Sequence, residues 1–78
     1  MIHELDTVVL THDVLEHGLA KDDVGAVVHC YADELAFEVE FVTAEGRTLA
    51  VLTLKHEDIR PMRRQEILHV RELALAAG

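Results

Sequence analysis

The stretch Phe37 to Leu54, FEVEFVTAEGRTLAVLTL, constrains this chain more than any other. Phe37, Val39 and Phe41 alternate with Glu38 and Glu40, the period-two pattern of a strand with one dry and one wet face. Ala44-Glu45-Gly46-Arg47 reads as the hairpin connection, with Gly46 supplying the positive φ that short loops need. The returning strand, Thr48 to Leu54, differs from its neighbour because both of its faces are largely apolar, as in strands covered on both sides. A layer over its outer face is expected, supplied by the C-terminal segment or by a second copy of the chain.

The flanking segments supply further strands. Leu5 to Thr11, LDTVVLT, is rich in β-branched residues and predicts the first strand. His12 to Gly25 predicts a long loop, broken by Gly18, Asp22-Asp23 and Gly25, with Val14 and Leu15 as apolar anchors and Leu19 tucked beneath the sheet. Ala26 to Tyr31 follows as the second strand, with a bulge expected at Gly25. Ala32 to Leu35 turns into the central hairpin, and Lys55 to Asp58 reads as a short helical turn before a brief fifth strand at Ile59 and Arg60. The dry interior is assigned to Val8, Leu10, Val27, Phe37, Val39, Phe41 and Ile59, with no choice between Leu49/Val51 and Leu52/Leu54 in the fourth strand.

Beyond Pro61 the pattern changes. Met62 to Ala77 holds no glycine or further proline and is rich in Leu, Ala, Glu, Gln and Arg, which predicts an α-helix of about four turns. Ile67, Val70, Ala74 and Ala77 would share one face, and Leu68 and Leu75 would form a second apolar line beside Arg64 and Arg71. Two apolar lines on one helix exceed what docking on a single sheet can cover, so a homodimer through this helix is expected. The chain thus divides into a β domain over residues 1–61 and a helical extension over residues 62–78.

Charge narrows the choice of partner. Residues 1–54 carry eleven Asp or Glu against Lys21 and Arg47 (2 − 11 = −9), whereas residues 55–78 carry five bases against four acids (5 − 4 = +1). An acidic body repels phosphate, which disfavours nucleic acid, and a basic protein is the partner such a surface attracts. The N-terminus is acidic where a secretory signal would be basic, and no apolar run reaches the length of a membrane span. A lone cysteine, Cys30, can form no internal disulfide, so a reducing cytoplasm is the expected compartment.

LDTVVLT, a loop ending in DDVGAVVHCY, FEVEFVTAEGRTLAVLTL and a closing EDIRP together resemble the DUF4926 family of small bacterial proteins over residues 3–61. The resemblance implies a compact SH3-like barrel, so the expected fold is mainly β, a small SH3-like five-stranded barrel with a C-terminal α-helix. It implies no activity, and the family has no catalytic motif to carry over. The Asp23, Gly25 and Val27 pattern is also similar to SH3-like barrels of nitrile hydratase subunits and KOW modules, but the basic surface of a KOW module is lacking.

No residue is assigned to catalysis, to a cofactor or to a metal. The six histidines show no ligand spacing on one element, although His12 and His17 with Asp13 and Glu16 could gather around an ion if the loop curled. His29 and Cys30 are strand neighbours pointing to opposite faces, so they cannot act as base and nucleophile. Glu38 and Glu40 lie roughly 7 Å apart on one face, a spacing that paired catalytic carboxylates also use, but on an open polar face solvation is the commoner role.

The function expected is a non-catalytic protein-interaction module, of which an antitoxin- or immunity-like neutraliser of a basic partner is one form. Glu38, Glu40, Arg64, Leu68, Arg71 and Leu75 are its candidate interaction residues. The alternatives are an accessory subunit or small metal-dependent enzyme built on the acidic loop, and weak nucleic-acid binding through Arg60, Arg63, Arg64 and Arg71.

Overall fold

The computed structural model describes residues 2–33 and 35–73. Five antiparallel strands form one sheet in the order β4-β3-β2-β1-β5: β1 is Thr7–Leu10, β2 Val24–Cys30, β3 Ala36–Val42, β4 Thr48–Lys55 and β5 Ile59–Pro61. The central hairpin lies where the sequence places it. Thr43 N donates to the Arg47 carbonyl at 2.9 Å, Gly46 N donates to the Thr43 carbonyl at 2.9 Å, and Gly46 sits at φ +86°. Short 3-10 turns occupy Leu15–His17 and His56–Asp58.

Alternation carries the core. Val8, Leu10, Val27, Phe37, Val39, Phe41 and Ile59, all assigned to the interior from sequence, are buried, and Ile2, Leu19 and Leu54 join them. In the fourth strand Leu54 is buried and Leu52 packs against the same cluster, whereas Val51 is exposed. The pairings Phe37↔Leu54, Val39↔Leu52 and Phe41↔Ala50 explain this parity, because directly opposed residues share a face. Leu54 and Ile59 come from opposite edges of the sheet yet meet in one cluster, so the sheet curls around a single interior.

Several expectations need correction. The sheet is open rather than a closed barrel: β4 and β5 are its two edges and pair with β3 and β1 respectively, not with each other. Gly25 is not a bulge but pairs in register with Val8, and the irregularity of β2 falls between Val27 and His29. Gly25 answers a different need. A Cβ there would lie 2.7 Å from Val39 Cγ1 and 2.8 Å from Phe41 Cε1, so only glycine lets β2 pass so close beneath these side chains. Of the two loop anchors, Val14 packs on the core and pairs with Leu19, whereas Leu15 points into solvent.

The C-terminal helix is the largest correction. Residues 62–73 form one turn and then an irregular strap, while Ala74, Leu75, Ala77 and the rest of the expected helix lie outside the described residues. Ile67 and Val70, assigned to the docking face, are both 92% exposed. A helix of this length is marginal in water without packing of one face, and side-chain bonds, some local and some long-range, hold the segment otherwise. Arg60 on β5 donates to both carboxylate oxygens of Glu66, at 2.8 and 2.6 Å, and Glu66 also accepts from Arg63 N at 2.6 Å. Further along, Arg71 grips Asp23 through Nε at 2.7 Å and Nη2 at 2.5 Å, and its Nη2 also reaches the Gly18 carbonyl at 3.0 Å. Val9 points away from the main core, yet it is only 4% exposed and lies among Met62, Glu66, Ile67 and His69 of this strap.

Candidate functional site

Two surfaces carry the functional possibilities: the strapped end of the sheet around Asp23, and the outer face of β2, β3 and β4.

Asp23 is the one buried acid among the described residues. Its Oδ2 accepts from Ala20 N at 2.9 Å, its Oδ1 lies 3.2 Å from His69 Nε2, and Arg71 bridges both oxygens. Burial alone would raise its pKa, but the bonds from Arg71, Ala20 and His69 outweigh burial and hold it below the usual carboxylate value. Glu66 is drawn down from 4.5 to about 2, first by Arg60 and then by Arg63 N. Both depressed groups have the same linkage sign. Their contribution to the folded strap is present above the unfolded values of 3.8 and 4.5 and is lost as pH falls through the folded ones. Amide chemical shifts of Ile67 to Leu73 should therefore stay native-like at neutral pH down to about pH 5 and turn coil-like on approach to about pH 2. Coil-like shifts already at neutral pH would mean that the strap is not clasped.

Between strap and sheet runs an open groove of about 660 Å³. Leu19, Val24, Phe41, Val42 and Leu49 line it from the sheet side, and Leu68, Val70 and Leu73 from the strap. Leu68 thus overlooks an apolar groove rather than a helix partner, and Arg71 serves as a clasp. Arg64 is exposed at the turn. Leu75 lies outside the described residues.

On the outer face, Glu38 and Glu40 stand as the sequence predicts, but each is held separately. Glu38 accepts from Tyr31 Oη at 3.0 Å and from Thr53 Oγ1, and Glu40 accepts from Thr48 Oγ1 at 2.7 Å. The bond to Glu38 raises the Tyr31 pKa, so the phenol stays a neutral donor. These donors are hydroxyls, so they orient the carboxylates without neutralising them, and among the described residues neither glutamate has a basic partner within ion-pair distance. Val28, Tyr31, Val42 and Val51 are exposed on or beside this face. Leu5, 84% exposed, adopts a left-handed φ of +72° where its N–H donates to the Val27 carbonyl beside the β2 bulge. For a leucine this backbone costs about 1–2 kcal/mol.

The loop residues do not gather as an ion site would require. His12 Nε2 lies 2.7 Å from Asp58 Oδ1 and its Nδ1 lies 2.9 Å from the Asp13 carbonyl, so both ring nitrogens face acceptors. The bond to Asp58, then that to Asp13, raise its pKa and favour the imidazolium. Asp13 accepts from Lys21 N at 2.8 Å. Among the described residues no three His, Cys, Asp or Glu side chains converge as metal ligands. Cys30 is half-buried against the core with its thiol donating to the Ile2 carbonyl at 3.8 Å, and His29 points the other way, toward Tyr31.

The clasps were missed from sequence, and only the opposite charges of Arg60/Glu66 and Asp23/Arg71 hinted at them. The class defined so far is a small, mainly β domain with an open five-stranded antiparallel sheet and an acid-centred outer face. Residues 4–61 match the profile described as "Domain of unknown function (DUF4926)", and the chain belongs to that family. No curated protein and no solved structure matches it. The strap, beginning at Met62, lies beyond the matched region although it is clasped to residues within it. Among the described residues no helix is long and apolar enough to cross a membrane.

Proposed function

We propose that this protein is a non-catalytic protein-interaction module whose outer sheet face receives a basic partner. The observation that carries the reading is the state of Glu38 and Glu40: hydroxyl bonds fix the two carboxylates and leave their charge unspent, within a rim of exposed Val28, Tyr31, Val42 and Val51. Oriented charge beside apolar and aromatic side chains suits protein recognition, where charge gives selectivity and rate and the apolar rim gives area. The exposed, left-handed Leu5 supports it, because backbone cost of this kind gathers at functional surfaces.

The curled sheet, with β5 returning to β1, is compatible with an open variant of the SH3-like architecture, which presents such faces to proteins and peptides. A neutraliser of the immunity or antitoxin kind, covering the basic site of a cytoplasmic partner, is the concrete form proposed. Nucleic-acid binding through the tail loses support, since Arg60 and Arg71 are already engaged by Glu66 and Asp23.

Capture from the native host followed by reconstitution with the purified partner tests the reading. The partner should be basic, and binding should weaken as salt rises. Glu38→Gln with Glu40→Gln keeps the hydroxyl acceptors but removes the charge, and should weaken binding by roughly tenfold, about 1.4 kcal/mol. Recovery of no partner, or of one indifferent to both salt and the double substitution, would remove the proposal.

A further inference from the structure

The two edges of the sheet are unlike. β5 is three residues long and ends in Pro61, which has no N–H to offer, and the Arg60–Glu66 clasp lies against it. Shortness and proline are standard protections of a sheet edge. β4 has neither. It runs for eight residues, and from Thr48 to Leu54 it has no charge, no proline and no glycine. Among the described residues it pairs with β3 alone, so alternate N–H and C=O groups face away from the sheet. The core also thins there: Phe41 and Val39 are 2% and 0% exposed, but their inward-facing partners Ala50 and Leu52 are only partly covered.

We infer that β4 pairs antiparallel with β4 of a second copy of this chain, joining two sheets into one around a two-fold axis. The inference is independent of the acidic-face reading. Facing residues must have the same parity so that inward side chains continue one interior, which leaves two central registers. With Val51 on the axis, Lys55 would be carried past the bulge at Leu49 to the hairpin loop of the second copy, where Arg47 brings a second positive charge beside it. With Leu52 on the axis, Lys55 faces Leu49 of the second copy beside the outer row that holds its Glu40, and the partly covered Leu52 meets its own mate. The second register is the one that charge and burial favour.

Val51→Lys tests it. Val51 is exposed and directly opposite Glu40 across the hairpin, so lysine there gains a cross-strand ion pair and the fold should be retained. In the dimer the same lysine crowds against Lys55 near the axis. Sedimentation of the intact protein at high micromolar concentration should show a dimer, and Val51→Lys should raise its dissociation constant by roughly tenfold or more with an unchanged circular dichroism spectrum. Amide exchange gives a second measurement that needs no variant: the N–H groups of Val51 and Thr53 should exchange more slowly as concentration rises. A monomer at high micromolar concentration, a dimer indifferent to Val51→Lys, or exchange at Val51 and Thr53 independent of concentration would each overturn the inference.

Discussion

Phe41→Ala is expected to unfold the domain. Phe41 is 2% exposed at the centre of the only core cluster of the described residues, and removing a buried phenylalanine costs about 3–5 kcal/mol. A core in a chain of this size supplies about 3–5 kcal/mol in all, and no disulfide adds to it. Thermal unfolding followed by circular dichroism should show no cooperative transition for the variant. A cooperatively folded Phe41→Ala protein with a midpoint close to the parent would show that the ring is not holding the sheet together.

Gly25→Ala should come next in severity although it adds a single methyl. The new Cβ would lie 2.7 Å from Val39 Cγ1, 2.8 Å from Phe41 Cε1 and 3.1 Å from the Glu40 carbonyl oxygen. Neither side chain can yield cheaply, because both are buried on the inner face of β3, and the carbonyl belongs to that strand's backbone. Overpacking of this kind costs about 1–3 kcal/mol, which in urea should appear as a lowered midpoint with little change in slope. The two sites are coupled, so Gly25→Ala should be less damaging on a background where Phe41 has been shortened to leucine. An unchanged midpoint for Gly25→Ala would mean that β2 can move away from β3 at no cost.

The central hairpin was legible because its information is local: Phe37, Val39 and Phe41 declare a face, and Gly46 declares the turn. The strap was not legible because what shapes it is remote. Arg71 is 48 residues from Asp23, and a segment of Leu, Glu, Gln and Arg reads as a helix until such partners are known. Val9 had offered a signal, being an apolar residue on the nominally wet side of LDTVVLT, and its burial under the strap explains it. Gly25 was misread because close approach and bulging both select glycine, and only the neighbouring strand tells them apart. Of the candidate interaction residues, Glu38 and Glu40 followed from alternation, but their tethering to Tyr31, Thr53 and Thr48 is a matter of register and had no sequence mark.

The inequality of the sheet's edges also limits how far copies of this chain can build upon one another. Growth of a fibre by strand addition needs every subunit to offer two docking edges, one to receive and one to extend. With β5 short and closed by Pro61, the described residues of each copy offer one such edge, and an assembly built on it would have nowhere further to grow. The proline and the clasp at Arg60 would thus oppose polymerisation at this edge as well as hold the fold.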